Sequence, residues 1–92
     1  MILSGPSSGE SKDWFVYIAK ASTGYLYTGV TNNVSKRIEK HNSGKGAKFA
    51  RMHGEFKLVY TSDPTTKSEA LKREIEIKGW TKANKQKLIN GE

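Results

Sequence analysis

The sequence contains no cysteine and no long hydrophobic run, and both absences narrow the possible classes of protein. Without cysteine the chain has no disulfide and no metal site built from thiolates. The longest apolar stretch near the start is Trp14–Ile18, whereas a membrane-spanning helix needs about 20 residues. Met1-Ile2-Leu3 is too short for the core of a signal peptide. We therefore expect a soluble cytoplasmic protein without a membrane-spanning segment.

Acidic residues are also few compared with basic ones. The 92 residues include 16 Lys and Arg but only 9 Asp and Glu, which gives a formal net charge of +7. Such an excess favours a polyanionic partner, and nucleic acid is the commonest one. A lysine-rich surface that serves only solubility would have the same composition. Charge alone therefore leaves both interpretations open.

The chain length suits a single compact domain. Residues 4–12 read SGPSSGESK and offer no apolar side chain that could be buried. Segments of this composition cannot offset the entropy lost on ordering. We therefore predict a flexible N-terminal arm over residues 1–12 and one folded domain over residues 13–92.

The pattern of apolar residues predicts three strands and three helices. The predicted strands, rich in aromatic and β-branched residues, are 14–20, 25–31 and 56–62. The first predicted helix is 34–42 and the third is 81–90. The second begins at the capping pair Thr66 and Glu69 and ends near Lys78. The order ββαβαα predicts an α/β sandwich of the α+β type, in which helices flank a small three-stranded antiparallel sheet.

Glu74 stands out on the second predicted helix. At 100° per residue it falls inside an apolar arc formed by Ala70, Leu71, Ile75 and Ile77. A carboxylate directed at the core side is costly unless it is paired, protonated or bound to a cation. One interpretation is a metal ligand at the mouth of a cleft. The other is a glutamate at the rim of the core that pairs with a nearby Arg or Lys.

The first predicted helix carries Arg37 and His41, which lie four residues apart and therefore on one face. Arginine can grip a phosphate through two parallel hydrogen bonds, and histidine transfers protons near neutral pH. The same residues would also suit an arginine lying over the edge of the core and a histidine that interacts with the helix dipole.

The predicted hairpin and the following loop supply phenols and lysines. Pairing of the two strands could bring the hydroxyls of Tyr17 and Tyr27 together on one face, although tyrosines in small sheets often serve packing alone. The Ser43–Lys48 loop offers backbone N–H groups and the lysines Lys45 and Lys48 to phosphates. A plain flexible loop is equally compatible with this composition.

Taken in order, these residues resemble the GIY-YIG nuclease family. Phe15-Val16-Tyr17 stands where the family has its first tripeptide, and Tyr27-Thr28-Gly29 stands where it has the second. Arg37, His41 and Glu74 follow in the family's order. The resemblance covers about residues 14–90 and is strongest to the small bacterial single-domain members.

The sequence departs from the family pattern at several points. The first tripeptide lacks its glycine, and Thr28 replaces an isoleucine. Many family nucleases also carry an asparagine after the glutamate, for which Asn84 is the one nearby match. No additional DNA-binding domain accompanies the nuclease-like part, so the resemblance implies low sequence specificity.

The resemblance implies hydrolysis of phosphodiester bonds with one divalent ion, Mg²⁺ or Mn²⁺, held by Glu74. Arg37 would neutralise charge on the phosphoryl oxygens. Tyr17, helped by Tyr27 or His41, would position the attacking water and take its proton, for which the phenol needs a lowered pKa. Gly29 would allow a close approach of the backbone.

We therefore expect a magnesium-dependent endonuclease that acts on DNA, with DNA repair or processing as its setting. Four lysines are expected to contact the nucleic acid: Lys36, Lys40, Lys45 and Lys48. Two alternatives stay open, namely a nucleic-acid-binding module of the same fold without turnover and a basic domain that docks on an acidic protein. A carboxylate facing phosphate favours the enzyme, because it would only repel the ligand of a pure binder. The choice between DNA and RNA and the oligomeric state are left open.

Overall fold

The computed structural model describes residues 12–42 and 54–92. Residues 1–11 of the predicted arm and the predicted Ser43–Lys48 loop, with Lys45 and Lys48, lie outside the described residues. Within the described ranges, no helix is long and apolar enough to cross a membrane.

Three strands and three helices follow one another in the predicted order ββαβαα. The strands are β1 (Phe15–Ala21), β2 (Leu26–Thr31) and β3 (Phe56–Thr61). The helices are α1 (Val34–Asn42), α2 (Lys67–Lys78) and α3 (Lys82–Ile89). The three strands form one antiparallel sheet in the order β2-β1-β3, so that β1 is central and β2 is an edge strand. These findings confirm the predicted fold class.

The β1–β2 hairpin sets the register on which the rest of the fold depends. Its turn contains Gly24 at φ 95°, a backbone conformation that glycine adopts without steric cost, and the Gly24 N–H donates to the carbonyl of Ala21 at 2.8 Å. In the resulting register Tyr17 stands opposite Gly29, and Ala19 stands opposite Tyr27. The residues of both tripeptides therefore meet on neighbouring strands.

Alternation along β1 divides the core into two clusters on opposite faces of the sheet. Val16 and Ile18 pack with Ala70 and Ile77 of α2 on one face. Tyr17, Ala19 and Ala21 form the other cluster with Phe56, and Ile38 of α1 packs against it. Helix α1 thus covers one face, whereas α2 covers the other.

The ends of the helices are held by side chains. Thr66 accepts a hydrogen bond from the N–H of Glu69 at 3.2 Å and caps α2 at the position that the sequence predicts. At the end of α1, the Asn42 amide exchanges two hydrogen bonds with the backbone of Phe56, at 2.8 and 3.0 Å. This contact anchors the last turn of α1 to β3, and His41 lies in that turn.

Candidate active site

Tyr17 is the centre of the candidate site. It projects from the central strand and is completely buried. Its hydroxyl lies over Gly29 of the neighbouring strand, because a Cβ atom at residue 29 would stand only 2.5 Å from Tyr17 Oη and 2.6 Å from Cζ. A side-chain carbon does not come that close to a carbon or oxygen to which it is not covalently bonded. The glycine of the second tripeptide therefore makes the space that the tyrosine of the first tripeptide occupies.

The Tyr17 hydroxyl meets His41 at the end of α1. Tyr17 Oη and His41 Nε2 lie 3.1 Å apart, within hydrogen-bond distance. The imidazole packs edge-on against the ring of Tyr27, with ring centroids 4.9 Å apart, and its centroid lies 5.3 Å from that of Phe56. Aromatic contacts and the anchored helix end therefore fix the direction of the histidine.

Burial determines the charge state of this pair. Burial is the main reason, with a further contribution from nearby Tyr27, that the pKa of Tyr17 is raised to about 12, while Arg37 acts in the opposite direction. Burial also lowers the pKa of His41, and the positive charges of Arg37 and Lys40 add to this effect. Both side chains are therefore neutral at pH 7. The lowered phenol pKa that the resemblance implied is not found in this chain, because desolvation outweighs the attraction of the guanidinium.

Arg37 lies one helical turn before His41 and is half-buried. Its guanidinium lies near enough to Tyr17 to act against the raised pKa of that phenol. The pair at i and i+4 on α1 therefore reaches the same phenol from two positions, as the helical spacing predicts.

Glu74 lies on α2 and acts on Tyr17 through its charge. Only 17% of its side chain is exposed, and its charge contributes to the raised pKa of Tyr17. Ala70 and Ile77 of the predicted apolar arc are completely buried, whereas Leu71 and Ile75 are 41% and 70% exposed. The arc that faces the sheet is thus narrower than the sequence suggests, but it includes Glu74.

The sequence left Glu74 as either a metal ligand or one partner of an ion pair, and Lys78 bears on this choice. Glu74 Oε2 lies 3.3 Å from Lys78 Nζ in an i,i+4 pair. This is the ion pair of the alternative interpretation, formed by a carboxylate whose charge also acts on the buried phenol. Lys78 was not among the predicted site residues, although its spacing from Glu74 is a recognised signal for such a pair.

The donor set at Glu74 fits a hard divalent cation. Among the described residues there is no group of three or more His, Asp or Glu side chains that could hold a metal. A single carboxylate is nevertheless a suitable anchor for Mg²⁺, which usually keeps several waters and binds substrate phosphates through one or two protein carboxylates. Glu74 is the residue that would hold the ion.

The remaining predicted residues lie around or outside this cluster. Lys36 and Lys40 are exposed on α1, the helix that carries Arg37 and His41. Asn84 is exposed on α3, where it lines a separate surface cavity of about 300 Å³ together with Arg73 and other residues. None of the site residues described above contributes to the lining of that cavity.

The chain as a whole has counterparts among known proteins. The family model described as the GIY-YIG catalytic domain matches residues 13–87. The chain belongs to the GIY-YIG family. This GIY-YIG domain is therefore a member of a nuclease family, whose substrates are nucleic acids and whose members generally use divalent metal ions.

Individual relatives of this GIY-YIG domain agree with that assignment. UPF0213 proteins from Staphylococcus epidermidis and Staphylococcus aureus are each 53% identical to it over 75 residues, which cover 82% of this chain and 92% of theirs. The solution NMR structure of a UPF0213 protein from Bacillus halodurans is 43% identical and superposes with a TM-score of 0.54, covering 84% of this chain and 82% of that one. The resemblance drawn from the sequence is confirmed.

Proposed function

We propose that this domain is a Mg²⁺- or Mn²⁺-dependent endonuclease that hydrolyses phosphodiester bonds in DNA with low sequence specificity. The observation that carries the proposal is the hydrogen bond between the Tyr17 hydroxyl and His41 Nε2, 3.1 Å long, at a phenol on which the charges of Arg37 and Glu74 both act. A base, a cation for phosphate and a carboxylate for a metal are the groups that metal-assisted phosphodiester hydrolysis uses. Repair or processing of DNA suits an enzyme that selects its substrate by structure.

Tyr17 and His41 act together on the attacking water. A phenol with a pKa of about 12 is neutral at pH 7, so it accepts a proton from water only as it passes its own proton on. His41 Nε2 is 3.1 Å away and neutral, so it receives that proton. The water oxygen then bonds to phosphorus while the P–O bond to the leaving group breaks. The leaving oxygen takes a proton from solvent.

Arg37 and Glu74 act on the phosphate. The guanidinium of Arg37 is placed beside the phenol, where it binds the phosphoryl oxygens and neutralises the charge that develops on them. Glu74 would hold the divalent ion, which would supply charge stabilisation to the phosphate and the leaving oxygen. Lys78 would then no longer be the partner of this carboxylate. Tyr27 keeps the imidazole in place through its edge-on contact.

The Glu74–Lys78 ion pair also favours a second candidate function, a nucleic-acid-binding module that does not turn over. In that case the carboxylate would remain paired with the lysine 3.3 Å away and would not bind metal. Glu74→Gln separates the two functions, because it keeps the size of the side chain and removes its charge.

The experiment compares the wild type with Glu74→Gln in three measurements: Mg²⁺-dependent nicking of supercoiled and branched DNA, Mn²⁺ binding followed by electron paramagnetic resonance, and DNA affinity. For a nuclease we expect nicking to fall by orders of magnitude, Mn²⁺ binding to weaken, and DNA affinity to stay or rise as a negative charge is lost. Glu76→Gln is the matched control, since Glu76 lies on the same helix and pairs with Arg73 at 2.6 Å on an exposed surface. The control should nick like the wild type.

Two results would change the proposal. Equal nicking by the wild type and Glu74→Gln would remove Glu74 from the mechanism. If the wild type bound DNA but nicked none of the substrates in Mg²⁺ or Mn²⁺, the binding module would replace the nuclease.

A further inference from the structure

A second basic surface lies at the turn end of the β1–β2 hairpin, outside the cluster around Tyr17. A cavity of about 220 Å³ is lined there by Gly24, Tyr25, Leu26, Lys82 and Lys85. Two of these lining residues are lysines and none is acidic. The side chain of Tyr25 is 42% exposed, which makes it one of the most exposed large hydrophobic residues of the described chain. The cavity thus combines an accessible aromatic ring with two positive charges.

The glycine of the hairpin turn lies beside one of the two lysines. A Cβ atom at Gly24 would lie 3.6 Å from Lys82 Nζ, so the ammonium group rests directly against the turn. Helix α3, which carries both lysines, contains no acidic residue between Lys82 and Ile89. The positive charge at this surface is therefore not balanced within its own helix, and an anionic ligand would be favoured there.

The surface lies close to the proposed cleft along the same strand. The carbonyl of Tyr25 accepts a hydrogen bond from the N–H of Ala21 at 2.9 Å, which places Tyr25 at the start of β2. Gly29 follows four residues later, about 13 Å away at about 3.3 Å per residue. At the axial rise of about 3.4 Å per nucleotide of a B-form strand, about four nucleotides cover that distance, and a more extended single strand covers it in fewer. One bound strand can therefore reach both places along the edge strand.

As an extension that rests on the proposed nuclease function, we propose that Tyr25, Lys82 and Lys85 bind a single-stranded segment of the substrate beside the cleavage site. Tyr25 stacks on an unpaired base, and the two lysines contact the flanking phosphates. Bases within a duplex are stacked on their neighbours and leave no face to the tyrosine. The substrate class is therefore nucleic acid with a single-stranded arm next to the scissile bond.

Binding measurements without cleavage test this proposal. Fluorescence anisotropy in EDTA follows a labelled single-stranded DNA and a duplex of the same sequence with the wild type, Tyr25→Ala, Tyr25→Phe and the double variant Lys82→Ala/Lys85→Ala. We expect Tyr25→Ala to weaken single-strand binding about 5- to 100-fold and to leave duplex binding within about twofold, because only the single strand is stacked. Tyr25→Phe keeps the ring and should bind like the wild type.

The salt dependence of binding tests the two lysines. For a single strand each phosphate contact contributes about 0.7 to the slope of log affinity against log salt, so the double lysine variant should reduce that slope by about 1.4. Lys72→Ala is the control, because Lys72 is exposed on α2 and pairs with Glu69 at 3.7 Å, away from the cavity lining. The control should leave the slope unchanged.

The outcomes distinguish this site from the nuclease function itself. Single-strand affinity that is the same for Tyr25→Ala and the wild type would overturn the site and leave the nuclease intact. An equal loss on single strand and duplex would also overturn it, as would a wild type that binds no single strand. A protein that binds the single strand through Tyr25 and nicks no DNA would refute the nuclease while supporting the site.

Discussion

Gly29→Ala perturbs the proposed site without removing any of its polar groups. The added Cβ would lie 2.5 Å from Tyr17 Oη, 2.6 Å from Cζ and 2.8 Å from Cε1. Since van der Waals contacts need about 3.5 Å, the phenol ring must move by about 1 Å. The ring is completely buried, so this movement has to displace its neighbours. Overpacking of this kind typically costs about 1–3 kcal/mol of unfolding free energy.

The same movement breaks the proposed proton relay. The Tyr17 Oη to His41 Nε2 distance is 3.1 Å, and a shift of about 1 Å away from the histidine takes it beyond hydrogen-bond range. General base catalysis contributes about 10²- to 10⁴-fold to a rate. We therefore expect the nicking rate of Gly29→Ala to fall by about that factor, with Mn²⁺ binding at Glu74 retained.

The assay combines thermal melting with nicking in Mg²⁺. A loss of 1 kcal/mol lowers the melting temperature of a domain of this size by about 4–8 °C. Gly79→Ala is the matched control: its Cβ would meet nothing closer than the Glu76 carbonyl at 3.5 Å, and the φ of −82° suits alanine. We expect this variant to lie within about 0.5 kcal/mol of the wild type and to nick at the same rate.

A double variant tests whether the clash is the cause. Adding Tyr17→Leu to Gly29→Ala removes the ring atoms that the Cβ meets. The stability losses of the two single variants should therefore not add in the double variant. Nicking should remain low, because the phenol is gone. If Gly29→Ala melted and nicked like the wild type, the reasoning that links this glycine to the position of Tyr17 would be refuted.

Two further predictions concern pH and salt. Because burial lowers the pKa of His41 below its usual 6.5, the neutral form is favoured in the fold, so the free energy of unfolding should rise with pH below 6.5 and level off above it. The nicking rate should fall as the pH decreases through the same range, since protonated His41 cannot accept a proton from Tyr17. If the nicking rate of His41→Ala fell at low pH in the same way, the pH dependence would belong to another group. Lys36→Ala and Lys40→Ala should each reduce the slope of log duplex affinity against log salt by about 0.9, measured by fluorescence anisotropy with Lys72→Ala as the control. An unchanged slope would show that the duplex does not contact these two lysines.

Much of the fold follows from local features of the sequence. Aromatic and β-branched segments, the turn at Gly24 and the Thr66 cap each act over a few residues, and the elements appear in the structure within one or two residues of their predicted bounds. The spacing of Tyr17, Tyr27, Arg37, His41 and Glu74 likewise indicated the family before any tertiary contact was known. Strand alternation and helical period place such residues on common faces whatever surrounds them.

Only the tertiary structure decided how these residues act. The mechanism implied by the resemblance needed a lowered pKa for Tyr17, but the raised value follows from burial in an environment assembled from segments far apart in the chain. The sequence also suggested a wide apolar face on α2, yet a helix resting on a small sheet buries only the narrow line through Ala70 and Ile77. Desolvation and steric contact depend on every neighbouring atom in space. Residue spacing can therefore predict which side chains share a face, but not how strongly that face is shielded from water.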